Sequence, residues 1–371
     1  MGSKAIAAVF VSCLMTAFCF IAKAQTTADE EIRIDTDLVE VPVFVSDAAG
    51  RPISGLKVTD FEVFEDGKPQ KIVSFTTTSD PIEVVLILDT SGSAQSELML
   101  IRKAAESFFA NLRSGDRASI IGFRPVSGNG EANAQATVIA GITADRAFLI
   151  SSLANLESSF GTPFYDAIIL AAKKVFSAPA NSEFRGRRAI VILSDGVDSV
   201  SQNSFEDARK AVQETGSAVY FVRLDTRDFF ESGLLGDCSA ATRFSSSQLL
   251  RYYASIDSEK AERVKNFCQL GEFERLAISK RLYEIADAEM FLLTRETGGR
   301  VFPAVSLSAA RSALMAAASE AGFRYSLGYY PASERLDGTY RRITVKVRSL
   351  PSGAKITARE GYFADVAKQR K

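Results

Sequence analysis

Histidine is absent from all 371 residues, and so is tryptophan. Without imidazole there is no histidine acid or base, no Ser-His-Asp or Cys-His nucleophile, and no zinc site that needs a nitrogen ligand. An excess of one charge is also lacking. The 44 Lys and Arg residues stand against 45 Asp and Glu, so no global basic field exists to hold nucleic acid. No Gly-x-x-x-x-Gly-Lys-Ser/Thr phosphate loop, Gly-x-Gly-x-x-Gly turn or Gly-x-Ser-x-Gly elbow occurs. What is present is ordinary for a folded chain: 46% apolar and 24% charged residues, with 26 Phe to supply the aromatic core. The length suits one large domain and a smaller one.

Cysteine is scarce, with four in all. Cys13 and Cys19 fall in residues 1–24, which begin with Lys4, run through the apolar stretch Ala5–Ala22 and finish Ala22-Lys23-Ala24. That order predicts a secretory signal peptide cut before Gln25; the alternative is an uncleaved membrane anchor. A lipid anchor on Cys19 is disfavoured by bulky Phe18 in front of it. No second long apolar segment follows, so no transmembrane segment is expected after cleavage. The expected location is outside the cytoplasm: periplasm, cell envelope or extracellular space. Cys238 and Cys268 then remain, an even pair for which export suggests one disulfide, with two separate buried thiols as the alternative.

Both flanks of the chain read as antiparallel β. Val39, Val41, Val43 and Val45 alternate with other residues, as a half-buried strand does. Phe61–Glu65 and Gln70–Phe75 flank Asp66-Gly67-Lys68-Pro69, a hairpin signal. Phe323, Tyr325, Leu327 and Tyr329 alternate, and so do Ile343, Val345 and Val347. Neither set has enough strands to bury a face alone, so residues 33–78 and 323–363 are expected to meet in one small sandwich.

Between them the rhythm changes. Val84–Leu88, Ala118–Phe123, Ile190–Leu193 and Ala218–Leu224 are short apolar runs, as expected of strands covered on both faces. Leu98, Ile101, Ala105, Phe108 and Leu112 recur at helical spacing, as do Phe164, Ile168, Ala171 and Val175. The alternation predicts an α/β fold, a doubly wound and mostly parallel sheet with flanking antiparallel β segments. The expected division is a signal peptide at 1–24, an N-terminal β segment at 25–80, the α/β domain at 81–322 and a C-terminal β segment at 323–371. A polar, mainly helical insertion at 226–286 carries both remaining cysteines.

One constellation carries chemistry. Strand Val84–Leu88 ends in Asp89-Thr90-Ser91-Gly92-Ser93, strand Ile190–Leu193 ends in Ser194-Asp195-Gly196, and Gly161-Thr162-Pro163 opens a helix between them. In open α/β sheets ligands bind beyond the carboxyl ends of the strands. Asp89, Ser91, Ser93, Thr162 and Asp195 offer two carboxylates and three hydroxyls. Such hard oxygen donors suit Mg²⁺, with Mn²⁺ or Ca²⁺ less favoured. Singly, these residues are also common helix caps and turn formers.

The five residues, in this order and on these strand ends, resemble the von Willebrand factor type A (VWA) domain and its metal-ion-dependent adhesion site. That pattern is Asp-x-Ser-x-Ser after the first strand, a Thr before a later helix and an Asp closing a later strand. The flanks, including Glu296-Thr297-Gly298-Gly299-Arg300 and Tyr325-Ser326-Leu327-Gly328-Tyr329-Tyr330-Pro331, look like a secreted bacterial VWA-related family, chiefly acidobacterial. The resemblance implies hydroxyls of Ser91, Ser93 and Thr162 as direct metal ligands, with Asp89 and Asp195 acting partly through water. It also implies a last helix, here Leu307–Ala321, that can move to switch affinity.

The expected function is a non-enzymatic binding or adhesion module, in which the bound metal captures an exposed Asp or Glu of a protein or peptide ligand. Alternatives are a structural envelope protein with a stabilising metal and, third, a Mg²⁺-dependent phosphoryl-transfer enzyme. Against the last, Ser91 stands where an aspartyl-phosphate enzyme needs a second Asp. The insertion follows strand Ala218–Leu224 and is expected beside or over the site, as a lid or ligand-selecting surface. There Asp228, Glu231 or Asp237 could fill the metal's open position. The alternative is a helical excursion on the side of the sheet.

Overall fold

The computed structural model describes residues 38–48, 52–77, 81–92, 95–126, 133–177, 188–237, 243–256, 267–332 and 338–364. The expected signal peptide, Ser93 and Cys238 lie outside them. In chain order the strands are β1 (Val39–Ser46), β2 (Phe61–Glu65), β3 (Lys68–Gln70), β4 (Ile72–Thr76), β5 (Glu83–Leu88), β6 (Arg117–Val126) and β7 (Asn133–Thr143). They continue as β8 (Arg188–Ser194), β9 (Ala218–Leu224), β10 (Val301–Ala304), β11 (Tyr325–Tyr329), β12 (Tyr340–Val347), β13 (Lys355–Ala358) and β14 (Gly361–Phe363).

The apolar run of β5 is buried along its whole length, because successive side chains serve opposite faces of one sheet. Val84, Leu86 and Leu88 join Ile101, Phe108, Leu314 and Ala317 on one side. Val85 and Ile87 join Phe164, Ile168, Val212 and Leu293 on the other. The first layer is supplied by helices Gln95–Asn111 and Leu307–Gly322. The second uses helices Phe164–Leu170, Phe205–Thr215 and Glu272–Thr297. The sheet order is β10-β9-β8-β5-β6-β7. All pairings are parallel except β6 with β7. This is the expected doubly wound, mostly parallel α/β architecture.

Edge strands β7 and β10 are less evident in the sequence. The short β10 depends on Glu296-Thr297-Gly298-Gly299-Arg300. Thr297 Oγ1 accepts from Val219 N at 3.0 Å, and Glu296 forms a bidentate pair with Arg209 at 2.6 and 2.7 Å. A Cβ on Gly299 would stand 1.8 Å from the Val219 carbonyl oxygen, so the backbone reaches β9 only because that side chain is absent.

The flanking strands form two further four-stranded sheets, β13-β1-β11-β4 and β14-β12-β2-β3. Each mixes strands from both ends of the chain, with β1 antiparallel to β11 and β2 antiparallel to β12. Their inner faces share one core of Val41, Val43, Phe61, Val63, Tyr325, Leu327, Tyr329 and Ile343. Buried Glu65 is held there by Tyr329 and Tyr362 hydroxyls at 2.6 and 2.9 Å. The hairpin differs from expectation. β2 turns through Asp66 and Gly67, both at positive φ, into β3 at Lys68–Gln70. The chain then crosses to the other sheet, where β4 pairs with β11. Phe75 thus meets Phe61 and Tyr325 at 5.7 and 6.0 Å between ring centroids, contacts a continuing hairpin arm would not give.

After β9 come helices Arg227–Leu234 and Ser246–Ile256, then the 26-residue helix Glu272–Thr297. Leu234, Phe244, Leu249, Phe267, Leu282 and Tyr283 form a separate small core with Val197, two residues past Asp195. The long helix runs on through residue 286, and its second half packs Met290 and Leu293 on the sheet. Phe230 packs on Phe244 and Tyr283, and Tyr253 is buried, so those two rings are internal.

Candidate metal centre

Neighbouring parallel strands β5 and β8 end together, which sets the spacing of the two carboxylates. Leu88 is paired with Leu193, and Asp89 N donates to the Leu193 carbonyl at 2.9 Å. Beyond those ends the chain must turn, and its backbone donors are met by the acids themselves. Asp89 Oδ1 accepts from Ser91 N at 2.9 Å and Ser91 Oγ at 2.6 Å. Its Oδ2 accepts from Ser194 Oγ at 2.5 Å, and that oxygen in turn accepts from Gly196 N. Asp195 Oδ1 accepts from Val197 N at 2.9 Å.

The Thr162 loop is bound to both turns. Ser91 and Ser159 form an isolated parallel bridge, with Gly92 N donating to Ser159 O at 2.9 Å. On the other side Thr162 N donates to Ser199 Oγ at 2.8 Å, and Ser199 N donates to Thr162 O at 3.0 Å. A Cβ on Gly161 would lie 3.0 Å from both Val200 methyls, so glycine permits this close approach. Thr162 itself is buried. The structure therefore brings the Asp89, Thr162 and Asp195 turns to one edge; Ser93 lies outside the described residues.

The electrostatics are those of acids short of a counter-charge. Burial, and then the neighbouring charge of Asp195, push the Asp89 carboxyl up to about 7, against hydrogen bonds from Ser194 and Ser91 that hold it down. Burial also raises Asp195, opposed by Thr226, the Val197 amide, Tyr283 and Arg223. Two such acids favour either a shared proton or a cation. Among the described residues no group of three or more His, Cys, Asp or Glu side chains gathers to hold a metal. Any ion here would thus draw its remaining donors from hydroxyls and water. Hard, neutral oxygens beside two carboxylates fit Mg²⁺ and exclude a soft-metal site.

Several participants are not evident in the sequence. Thr226 Oγ1, just past β9, donates to Asp195 Oδ2 at 2.5 Å. The Tyr283 hydroxyl, from the long helix, lies 2.8 Å from Thr226 Oγ1 and donates to the same Asp195 oxygen at 3.4 Å. Ser245 Oγ donates to the Ser199 carbonyl at 2.6 Å. The polar run Asp198 to Asn203 caps helix Phe164–Leu170, with Asp198 accepting from Phe164 N and Ser201 from Tyr165 N. The crowding of Ser, Asp and Asn after β8 hints at that cap. Thr226 and Tyr283 carry no comparable local signal, because only tertiary packing brings them to Asp195. Of the acids considered as internal ligands, Glu231 faces Arg227 at 3.9 Å and Asp228 is exposed. Arg188, the first residue of β8, pairs with buried Glu83 at 3.1 Å.

Residues 83–252 match the von Willebrand factor type A domain family. No curated protein sequence matches the chain. Among solved structures, similarity extends to a von Willebrand factor type A protein from Catenulispora acidiphila, at 12% identity over 89% of this chain and 74% of that one, TM-score 0.39. It extends also to conserved hypothetical protein BatB from Bacteroides thetaiotaomicron, at 17% identity over 65% and 98%, TM-score 0.37. An aerotolerance-related membrane protein from Bacteroides fragilis aligns at 17% over 64% and 98%, TM-score 0.36. From the family match and the sheet that carries it, residues 83–252 of the chain form a von Willebrand factor type A domain.

Proposed function

We propose that this protein is an exported binding module that captures a carboxylate of a protein or peptide partner through a divalent cation, Mg²⁺ first, held at the Asp89 edge. VWA domains in general serve protein interaction or adhesion, and the finer assignment rests on this chain's own residues. The observation that carries it is the Asp89–Asp195 pair, a buried and a half-buried acid beside neighbouring strand ends, with no basic side chain among the described residues offsetting Asp89. Ser91, Ser93 and Thr162 would hold the ion directly, and Asp89 and Asp195 would anchor its shell. When bound, the cation supplies an electrophilic position for an outside anionic oxygen. Asp89 is kept in place by Ser91 and Ser194, and Asp195 by Val197 N and Thr226, so neither carboxylate needs to reorganise on binding.

Mg²⁺ is expected to raise the melting temperature of the mature protein, and Asp89→Ala to abolish that rise. A partner captured from the native envelope in Mg²⁺ should be released by EDTA. Capture that persists unchanged in EDTA would refute carboxylate bridging, and turnover of phosphate esters would favour an enzyme instead. Export is tested on the same material, whose first residue should be Gln25. Among the described residues no helix is long and apolar enough to cross a membrane.

A further inference from the structure

Exposed large apolar residues occur over much of the molecule, but they differ in degree. Four large ones are more than 70% exposed among the described residues: Phe160 at 80%, Phe229 at 74%, Val305 at 80% and Phe273 at 91%. Three of them stand on the carboxyl edge of the sheet, where the candidate cation site lies. Phe160 sits between Ser159, bridged to Ser91, and Gly161, beside Thr162. Phe229 is three residues past Thr226, which donates to Asp195. Val305 follows Ala304, whose carbonyl accepts from Asp225 N at the end of β9. The fourth, Phe273, opens the helix that carries Tyr283.

Their exposure is built in. Ser159, Gly161 and Thr162 are all buried, so Phe160 projects from a turn hydrogen-bonded to the Asp89 loop on one side and the Ser199 loop on the other. The backbone that carries the ring is thereby fixed at this edge. Phe229 is the outward neighbour of Phe230, whose ring is used on Phe244 and Tyr283. Large aromatic side chains held in water are a frequent mark of an interaction surface, since their burial is favourable only when a partner arrives.

We infer that Phe160 and Phe229, with Val305 beyond, form an apolar rim around the cation site. That rim selects a partner segment whose acidic side chain is flanked by bulky apolar residues rather than by polar ones. The proposal rests on the carboxylate-capture reading and deepens it. Charge complementarity commits the occupant. A dication held directly by neutral hydroxyls, with Asp89 and Asp195 anchoring its shell, would keep a coordination position that an acidic side chain fills. The apolar flanks of the same segment then cover the two rings. Insertion and domain act together here, because Phe160 comes from the Thr162 loop and Phe229 from the segment after β9.

The test uses the mature full chain and two blocked heptapeptides, each with a central Glu, one flanked by Phe and Leu and the other by Ser and Gly. Melting with and without Mg²⁺ is measured alongside peptide binding, for the wild type, Phe160→Ser, Phe229→Ser and the double variant. In Mg²⁺ the wild type should bind the apolar-flanked peptide at least tenfold tighter than the polar-flanked one. Each substitution should lower that preference about threefold, the double variant nearly abolish it, and the Mg²⁺-induced rise in melting temperature should be unchanged. Equal binding of the two peptides, binding of neither, or a preference that survives in the double variant overturns the rim while the Mg²⁺ shift stands. Loss of the Mg²⁺ shift in the wild type itself overturns the capture reading and the rim with it.

Discussion

In a metal-free buffer, Asp89→Asn should melt above the wild-type protein at pH 8 and lose that advantage near pH 4. An acid whose folded-state pKa is raised binds its proton more tightly folded than unfolded. Its contribution to stability is therefore complete below 3.8 and lost as the pH climbs through about 7. The shift spans about three pH units at ~1.4 kcal/mol each, so ionising Asp89 destabilises the metal-free fold by on the order of 4 kcal/mol at pH 8. The neutral amide of the variant escapes that penalty but accepts more weakly from Ser91 and Ser194, which returns ~1–2 kcal/mol. A net gain of ~2–3 kcal/mol corresponds to a rise of roughly 5 °C. Mg²⁺ at a thousand times its Kd should reverse the order, since it adds ~4.1 kcal/mol to the wild type alone. Melting curves of both proteins at five pH values, in EDTA and in Mg²⁺, give the difference directly and cancel the raised acids away from the pair, Glu40, Asp198, Glu289 and Glu320. A difference that stays flat from pH 4 to 8 in EDTA would refute the view of Asp89 as a buried acid lacking a counter-charge.

Tyr283→Phe removes the hydroxyl beside Thr226 and Asp195, and should weaken Mg²⁺ binding severalfold by calorimetry while leaving the melting temperature in EDTA within a few degrees. Tyr329→Phe strips one donor from buried Glu65 and should destabilise the sandwich by ~1–2 kcal/mol in urea unfolding, with no effect on Mg²⁺ binding. The mature protein, denatured without reductant, should resist alkylation at Cys238 and Cys268 and take up two labels after reduction. Labelling of both without reductant would show separate thiols.

The sheet was legible because β5, β8 and β9 are apolar on both faces, a pattern few other environments produce. The Asp89 and Asp195 turns were legible because each follows such a strand directly. Strands β7 and β10 were not, since one is a partly exposed edge and the other is four residues long and contains Pro303. The Asp66-Gly67 turn was visible, but the sheet switch at Lys71 was not. Turn chemistry fixes only the residues around it, while the destination of β4 depends on Tyr325, some 250 positions away in the chain. Thr226 and Tyr283 show the same limit at the site, where a hydrogen bond spans 88 positions between Tyr283 and Asp195.

The interleaving of the first and last strands orders how the protein can assemble. Contacts such as Tyr362 to Glu65 join residues 297 positions apart, so β1 and β2 emerge from the ribosome long before their partners exist. The α/β body, whose neighbouring strands are far closer in the chain, can settle while those early strands still wait with open edges. Closure of the sandwich then becomes the last event and a checkpoint on completeness, since a chain broken off before β11 leaves β1 with no strand beside it to pair.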